Sequence, residues 1–545
     1  MKTKVALFSL CALTSVVPLA LSPAVPQAEA RENSFSGGGS VSYEISNHSG
    51  SNTSSGTAQP SGQINGETAT LPSAVSSNDS NYSRVIISPV LTVKSLGEKN
   101  AINLTYSPSM LYGDGDHGNL QQAVTISANW SPTSRWAVNV SNNYQQTDSD
   151  LDNINMAGFT PQPVNSEGVQ GSGQNTQAGG PGAQTAGQPG ATTSQTSQTT
   201  TGGNQLADQP GRQKYSTNTF HIDTTYAYWE DSSVNFGYEL QLLRYDELTG
   251  TNQDHDRHSI FANINHRLNS RYRFNVNAQY VPGSRDGAAA LPATDGETAD
   301  EVPVTDNANN QARLSQTASS NVQEFHISTS IESLTIPHHP LNLTYSLDTS
   351  RYDDDSQNNS QIHSLLLGWT WEINPKSQFS LSAGPTLSKQ DNTDDSWSYA
   401  LNAGYNRQWS AGGGINFSAS HGVQMQNFSG NTNNNGMTEY WRGGVSVSQA
   451  LSQNLALNFM ATAADQDVTN SSSPTGSELA NELAGGSHNT RQYTLGGGLN
   501  YNFARWYSLG LNYTYTTQDG DLPTDNYDEH RVMLVLSMQR DFFHW

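Results

Sequence analysis

The feature that most constrains this chain is a period of two, repeated from end to end. In residues 506–515, Tyr507, Leu509, Leu511, Tyr513 and Tyr515 share one face, and Ser508, Gly510, Asn512 and Thr514 share the other. Just upstream, Tyr493, Leu495, Leu499, Tyr501 and Phe503 oppose Thr494, Gly496, Gly498, Asn500 and Asn502. The pattern recurs where Leu341, Leu343, Tyr345 and Leu347 oppose Asn342, Thr344 and Ser346. It recurs again where Tyr272, Phe274, Val276, Ala278 and Tyr280 oppose Arg271, Arg273, Asn275, Asn277 and Gln279, and where Val234, Phe236, Tyr238, Leu240 and Leu242 oppose Asn235, Glu239 and Gln241. Alternation over about ten residues is the length of a tilted membrane-crossing strand. Strands of soluble sandwiches are mostly shorter. Beyond the N-terminal leader, no run is apolar enough for a membrane helix. A chain in lipid must then pair its backbone groups in a closed barrel. Only one face of each strand meets lipid, so a hydrophobic content of 34% is no obstacle.

The N-terminus carries Lys2 and Lys4, an apolar run over residues 5–21, and then Ala28-Glu29-Ala30. This is the pattern of a secretory signal peptide, residues 1–30, cleaved before Arg31. Pro18 and the shortness of the run disfavour an anchor helix. Cys11, in the leader, is the one cysteine. The mature chain is therefore expected to have no thiol chemistry, no c-type haem attachment and no cofactor. The net charge of −23 excludes nucleic acid as a partner, since that needs a basic footprint.

Connections alternate in length. Short ones are expected near residues 97–98, 132–133, 231–232, 269–270, 338–339, 374–375, 411–412, 452–453 and 504, and long ones include 148–214 and 284–320. Barrels of this class have short periplasmic turns and long outer loops. Trp130, Trp136, Trp229, Trp371, Trp409, Trp506 and Trp545 lie beside the short set or at the C-terminus, as membrane-interface aromatics do. Counting from residue 85 gives about nineteen strands, and an even number is required of a bacterial barrel. Residues 41–45 supply a first strand. The fold expected is an all-β, transmembrane, antiparallel up-and-down barrel of about 20 strands, or 18 if one hairpin is misread. It would occupy residues 31–545. Residues 31–40 are too few to form a plug ahead of that first strand.

Two segments need separate comment. Residues 148–214 are low in complexity and nearly without apolar side chains after Met156 and Phe159, which predicts a disordered extracellular loop, with a constriction loop folded into the lumen as the alternative. In the last strand, Val532, Leu534, Leu536 and Met538 set one parity while Phe543 and Trp545 set the other, which a β-bulge would reconcile.

The predicted inward face is rich in Ser, Thr, Asn, Gln and Gly. Its candidate pore-lining residues are Glu239, Gln241, Arg271, Arg273, Asn275, Asn277, Gln279, Asn342, Thr344, Asn500, Asn512 and Thr514. The inward charges expected are few: Lys94, Asp223, Glu239, Arg267, Arg271, Arg273, Glu332, Asp348, Glu372 and Arg442. Such a wall suits water, small polar solutes or sugars better than strong ion selection, and equally it solvates a barrel interior. Carboxylates gather at the outer ends, for example Asp148, Asp150 and Asp152, or Asp519, Asp521, Asp525 and Asp528. They read as a solvated acidic rim, although oxygen-rich clusters also hold Ca²⁺ or Mg²⁺. No residue set is singled out as a metal site. Asp254-His255-Asp256-Arg257-His258 resembles an acid/base cluster but is expected in a short outer loop with no nucleophile beside it. No G-x-S-x-G or H-E-x-x-H occurs, so no enzyme is expected.

The leader, the alternating strands over residues 37–545 and the ending Phe543-His544-Trp545 resemble the β-barrel porins of Gram-negative outer membranes. Within that group the Ser/Asn/Gly-lined strands look like barrels associated with exopolysaccharide secretion. The resemblance implies outer-membrane lipid and lipopolysaccharide as surroundings, and the barrel-insertion machinery as a partner of the C-terminal strand. It also implies polysaccharide as a partner on the export reading. Three functions follow as expectations: a passive channel for polar solutes, an exopolysaccharide export channel, and a structural or adhesive barrel or a sheath for a partner protein.

Overall fold

A computed structural model describes residues 32–50, 80–113, 116–147, 214–246, 254–286, 320–353, 358–391, 394–410, 412–428, 436–470, 488–521 and 526–544. They form twenty strands. The first ten are β1 (Glu32–Gly50), β2 (Ser80–Leu96), β3 (Asn100–Gly113), β4 (Asp116–Thr133), β5 (Trp136–Thr147), β6 (Tyr215–Trp229), β7 (Ser232–Tyr245), β8 (Asp254–Arg267), β9 (Tyr272–Asp286) and β10 (Ser320–Ser333). The second ten are β11 (Leu341–Tyr352), β12 (Ser360–Asn374), β13 (Ser377–Gln390), β14 (Ser396–Ser410), β15 (Gly413–Gln426), β16 (Gly436–Ala450), β17 (Leu455–Asn470), β18 (His488–Ala504), β19 (Tyr507–Gly520) and β20 (Tyr527–His544). Each pairs antiparallel with its neighbours in sequence, and β20 pairs with β1, so the sheet closes and has no edge. Twenty strands spaced ~4.8 Å apart and tilted ~40° enclose a cylinder roughly 40 Å across, too wide for side chains to meet at its axis.

Burial is inverted relative to a water-soluble protein. Leu343, Tyr345, Leu499, Tyr501, Leu509, Leu511, Leu534 and Leu536 are exposed on the outside, while Thr494, Asn512 and Thr514 are buried on the inside. Alternation turns every strand's apolar row to lipid and its polar row to the interior.

The seam confirms the bulge. Gly37 pairs with Arg540 and Ser36 with Asp541, but Phe35 pairs with Phe543, leaving Phe542 as the extra residue on β20. The shift restores Phe543 to the outward parity of Leu534, Leu536 and Met538. Phe35 stacks on Phe543 at 6.4 Å between ring centroids. The closing strand begins earlier than residue 41, at Glu32. Glycines let it: a Cβ on Gly37 would sit 2.3 Å from the Phe542 ring, and one on Gly38 would sit 2.3 Å from the Met538 carbonyl oxygen.

The nine expected short connections each join consecutive strands within a few residues of their predicted positions, with turns described at 97–99, 134–135, 230–231, 268–271, 334–340, 375–376, 451–454 and 505–506, while residue 411 of the ninth lies outside the described residues. This end is called inner below, and the opposite end outer. Asp231 (φ 57°) and His338 (φ 63°) take left-handed backbone in two of these turns, a conformation that Asp and His adopt more readily than most residues. The outer connections are not uniformly long, since only residues 114–115 join β3 to β4. At the inner end Trp130, Trp136, Trp229, Trp371 and Trp409 are exposed on the outside. Trp130 and Trp136 lie 6.5 Å apart across one turn, and the Arg505 and Arg540 guanidiniums lie over the Trp506 ring. Trp545, residues 1–30 and residues 148–213 lie outside the described residues.

Candidate functional site: the lumen wall

The inward rows change character along the barrel axis. Near the inner end they carry hydroxyls and amides that stay half-buried or exposed, such as Asn342, Thr344, Asn416, Ser418 and Ser446. Near the outer end, inward side chains on most strands are buried, among them Ser46, Thr147, Ser259, Ser350, Thr386, Thr438, Thr516 and Glu529. Three polar clusters line the wall, one at the outer end of the seam and two that extend toward the middle of the barrel and the inner end.

The first lies at the seam. Glu44 of β1 is fully enclosed, at 0% exposure. Its carboxylate accepts from Arg84 Nε at 3.1 Å and from the Tyr82 hydroxyl at 3.1 Å, and Arg531 Nε lies 2.8 Å away. The Ser46 hydroxyl donates to Glu529 at 2.8 Å. Two carboxylates and two guanidiniums from β1, β2 and β20 thus meet out of water. Such a set holds only if its charges are matched and hydrogen-bonded.

The second spans β5 to β8. His221 Nε2 lies 3.0 Å from Asp223 and Nδ1 lies 3.5 Å from Glu239, while Arg257 approaches Glu239 at 3.7 Å and donates to Gln241 at 3.3 Å. Asp223 also accepts from Asn139 and Asn235, at 3.2 and 2.9 Å. The Phe261 ring stacks on His221 at 5.6 Å, over Gly237, where a Cβ would come within 2.1 Å of it.

The third spans β9 to β11. His326 lies between Asp348, 2.7 Å from Nδ1, and Glu324, 3.4 Å from Nε2. Nearer the inner end, Arg273 donates to Glu332 at 3.2 Å. In all three clusters, carboxylates meet guanidinium or imidazole groups.

The closed antiparallel sheet, its apolar exterior, the Trp belt and the even strand number decide the class of molecule. The chain is a bacterial outer-membrane β-barrel. No family profile matches its sequence, and no curated protein does. Among solved structures it is similar to the FrpB iron transporter from Neisseria meningitidis (F5-1 variant), at 8% identity and a TM-score of 0.47, over 92% of this chain and 82% of that one. It is similar to the siderophore receptor PirA from Pseudomonas aeruginosa at 10% identity and a TM-score of 0.42, over 93% and 80% of the two chains. It is also similar to Pseudomonas aeruginosa OpdQ, at 10% identity and a TM-score of 0.33, over 94% and 98%. All three likenesses are distant.

The outer-membrane barrel distributes the residues singled out by sequence as follows. Glu239 and Gln241 belong to the second cluster. Arg273 pairs with Glu332, Asn275 donates to Ser330 at 3.4 Å, and Gln279 donates to Ser259 at 2.7 Å. Asn277 stands opposite Asn263 and Ser328, and Thr344 opposite Ser330. Asn342 packs where Gly368 leaves room, since a Cβ there would sit 1.7 Å from its Oδ1. Asn500 faces Gly510, beside Asn512 and Thr514. Arg271 falls in the turn before β9, exposed at the inner rim, rather than on a strand.

Two expectations need correction. Asp254 to His258 form the outer end of β8, not a loop. Alternation then splits the apparent cluster: His255 and Arg257 are buried on the inward face, whereas Asp256 turns outward to pair with Arg244, and His258 Nδ1 lies 2.8 Å from the Tyr238 hydroxyl. The interior also holds more charge than expected. Glu44, Arg84, Arg257, Arg285, Glu324, Glu529 and Arg531 are all buried there. Glu44 lies within the strand expected at 41–45, between the outward Tyr43 and Ile45, and Arg531 directly precedes the outward Val532, so these charges sit on inward parity beside an apolar row. Among the described residues, no three His, Cys, Asp or Glu side chains converge to hold a metal ion.

Proposed function

We propose that the protein is a passive channel for small polar solutes, with Glu239, Gln241, Arg273, Asn275, Asn277, Gln279, Asn342, Thr344, Asn500, Asn512 and Thr514 lining its pore. One observation carries the reading. The interior wall is rich in hydroxyls and amides, with buried carboxylates such as Glu44, Glu239 and Glu332 set against guanidiniums, inside a cylinder too wide for side chains to fill. A wall of that kind hydrates solutes without selecting strongly by charge. Vesicles containing the refolded protein should swell in isosmotic neutral monosaccharide at a rate that falls with solute size. Swelling no faster than protein-free vesicles would overturn the proposal.

The burial of the outer lumen favours a second reading, an export conduit for a neutral polysaccharide that opens for its cargo. Deleting the gene would then abolish secreted polymer while leaving uptake of small solutes unchanged. The reverse result would return the passive channel.

A further inference from the structure

The lumen wall is not uniform around its circumference. From β6 to β11 and across the seam, the inward rows carry carboxylates and guanidiniums in contact with one another. Arg257 meets Glu239, Arg273 meets Glu332, and Arg84 and Arg531 meet Glu44. From β13 to β19 the inward rows are hydroxyl, amide, glycine and a few apolar side chains. Among the inward-facing residues of those strands, Arg442 of β16 is the one Asp, Glu, Lys or Arg. Its parity is set by the sheet. Trp441 beside it is exposed on the outside, and Arg442 stands opposite Ser420 of β15 and Ala464 of β17.

Arg442 also differs from the other lumen guanidiniums in what it touches. Among the described residues its side chain forms no salt bridge and no hydrogen bond. It lies over the Tyr440 ring, 4.6 Å from the centroid. Tyr440 faces inward as well and leans across β15, where Gly422 stands opposite it. A Cβ on Gly422 would lie 3.5 Å from the Tyr440 hydroxyl. Ring and guanidinium thus form one half-buried patch midway along β16. A charge partly withdrawn from water loses hydration, and the quadrupole of a ring offsets only part of that loss. The N–H donors of Arg442 are left over, on a stretch of wall with no carboxylate to take them.

We propose that Arg442 and Tyr440 form a subsite for the carboxylate of an acidic sugar in the lumen, either a free hexuronate or a uronic-acid unit of a longer chain. The subsite deepens the channel reading and rests on it for transit, but not for binding. A guanidinium presents paired N–H groups that match the two oxygens of a carboxylate. Its single positive charge neutralises a carboxylate and leaves a phosphate dianion half-compensated. Ser420, opposite Arg442, and Gln466, opposite Tyr440, offer hydrogen bonds to sugar hydroxyls. The Tyr440 ring supplies apolar surface for sugar C–H groups.

The test is equilibrium binding of sodium glucuronate to the refolded barrel in detergent, read by saturation-transfer NMR. Glucose at the same concentration is the neutral comparison, and folding is checked by heat-modifiable gel migration. Wild type should give a saturable glucuronate signal and a much weaker glucose signal. Arg442→Gln should weaken glucuronate binding by about tenfold or more. Arg442→Lys, which keeps the charge but not the paired donors, should fall between the two. Lys376→Gln, which removes one exposed positive charge from an inner turn, should leave the affinity unchanged. Unchanged binding in folded Arg442→Gln, equal weakening by Lys376→Gln, or a glucose signal as strong as that of glucuronate would each overturn the subsite. A structural role for Arg442 would instead lower the denaturant midpoint of Arg442→Gln and leave binding intact. Planar-bilayer recording of the same proteins reports on the channel separately. Brief interruptions of the current by glucuronate in wild type, absent in Arg442→Gln, support transit past the subsite. Binding in a barrel that never conducts keeps the subsite and refutes passive passage, whereas conductance without binding keeps the channel and refutes the subsite.

Discussion

The two ends of the lumen are built from the same strands by different rules. At the inner end, Asn416, Ser418, Ser446 and Lys94 face the interior and remain exposed. At the outer end, Glu44, Arg84, Arg531, Glu324 and Arg257 are buried and set among opposite charges. A charge in water needs no partner, whereas a buried one costs several kcal/mol unless it is paired. The pairing at the outer end therefore records that water has been displaced there. Both ends keep a polar wall. Only one is closed.

That contrast is open to attack by substitution. The largest effect is expected from Glu44→Ala, which strands the Arg84 and Arg531 guanidiniums together. Loss of a partner from a buried ion pair costs about 3–5 kcal/mol, read as a lowered denaturant midpoint of the refolded barrel in vesicles. Little change would mean that the outer lumen is wet after all. Next, Leu343→Arg and Thr344→Arg compare the two faces of β11 at neighbouring positions. The lipid-facing change should cost about 2–4 kcal/mol and the inward one far less, with the inward one instead shifting the channel toward anions. Equal costs would reverse the inside-out assignment. Smaller still is the coupling between Trp130 and Trp136, about 0.5–1.5 kcal/mol in a double-mutant cycle. The smallest is Asn416→Ala at the inner end, within about 0.5 kcal/mol of wild type. If it matched Glu44→Ala, the distinction between the ends would collapse.

Much of the barrel is legible in the sequence because a lipid-crossing strand has to alternate. Ten residues such as 506–515 carry enough signal to place a strand, and nine turns follow from their spacing. The parity clash between Met538 and Phe543 announced the bulge at Phe542. What escaped notice lay where lipid imposes no pattern. Residues 32–40 precede the strand expected at 41–45, yet they belong to β1, and their glycines are what allow it to pass Phe542 and Met538. Asp254 to His258 read as a loop because the strand there has left the membrane. Leu111, Leu243, Val281, Val322, Ile362 and Val468 also escaped notice, since each is a buried apolar side chain on an otherwise polar inward row.

The central claim is that this barrel encloses a hydrated, nearly charge-balanced passage. Single-channel recording across a salt gradient in a planar bilayer tests it most directly. The account predicts discrete conductance steps with a reversal potential close to zero. A folded barrel that never conducts, or one that conducts with a reversal potential near the Nernst value for a single ion, would contradict it.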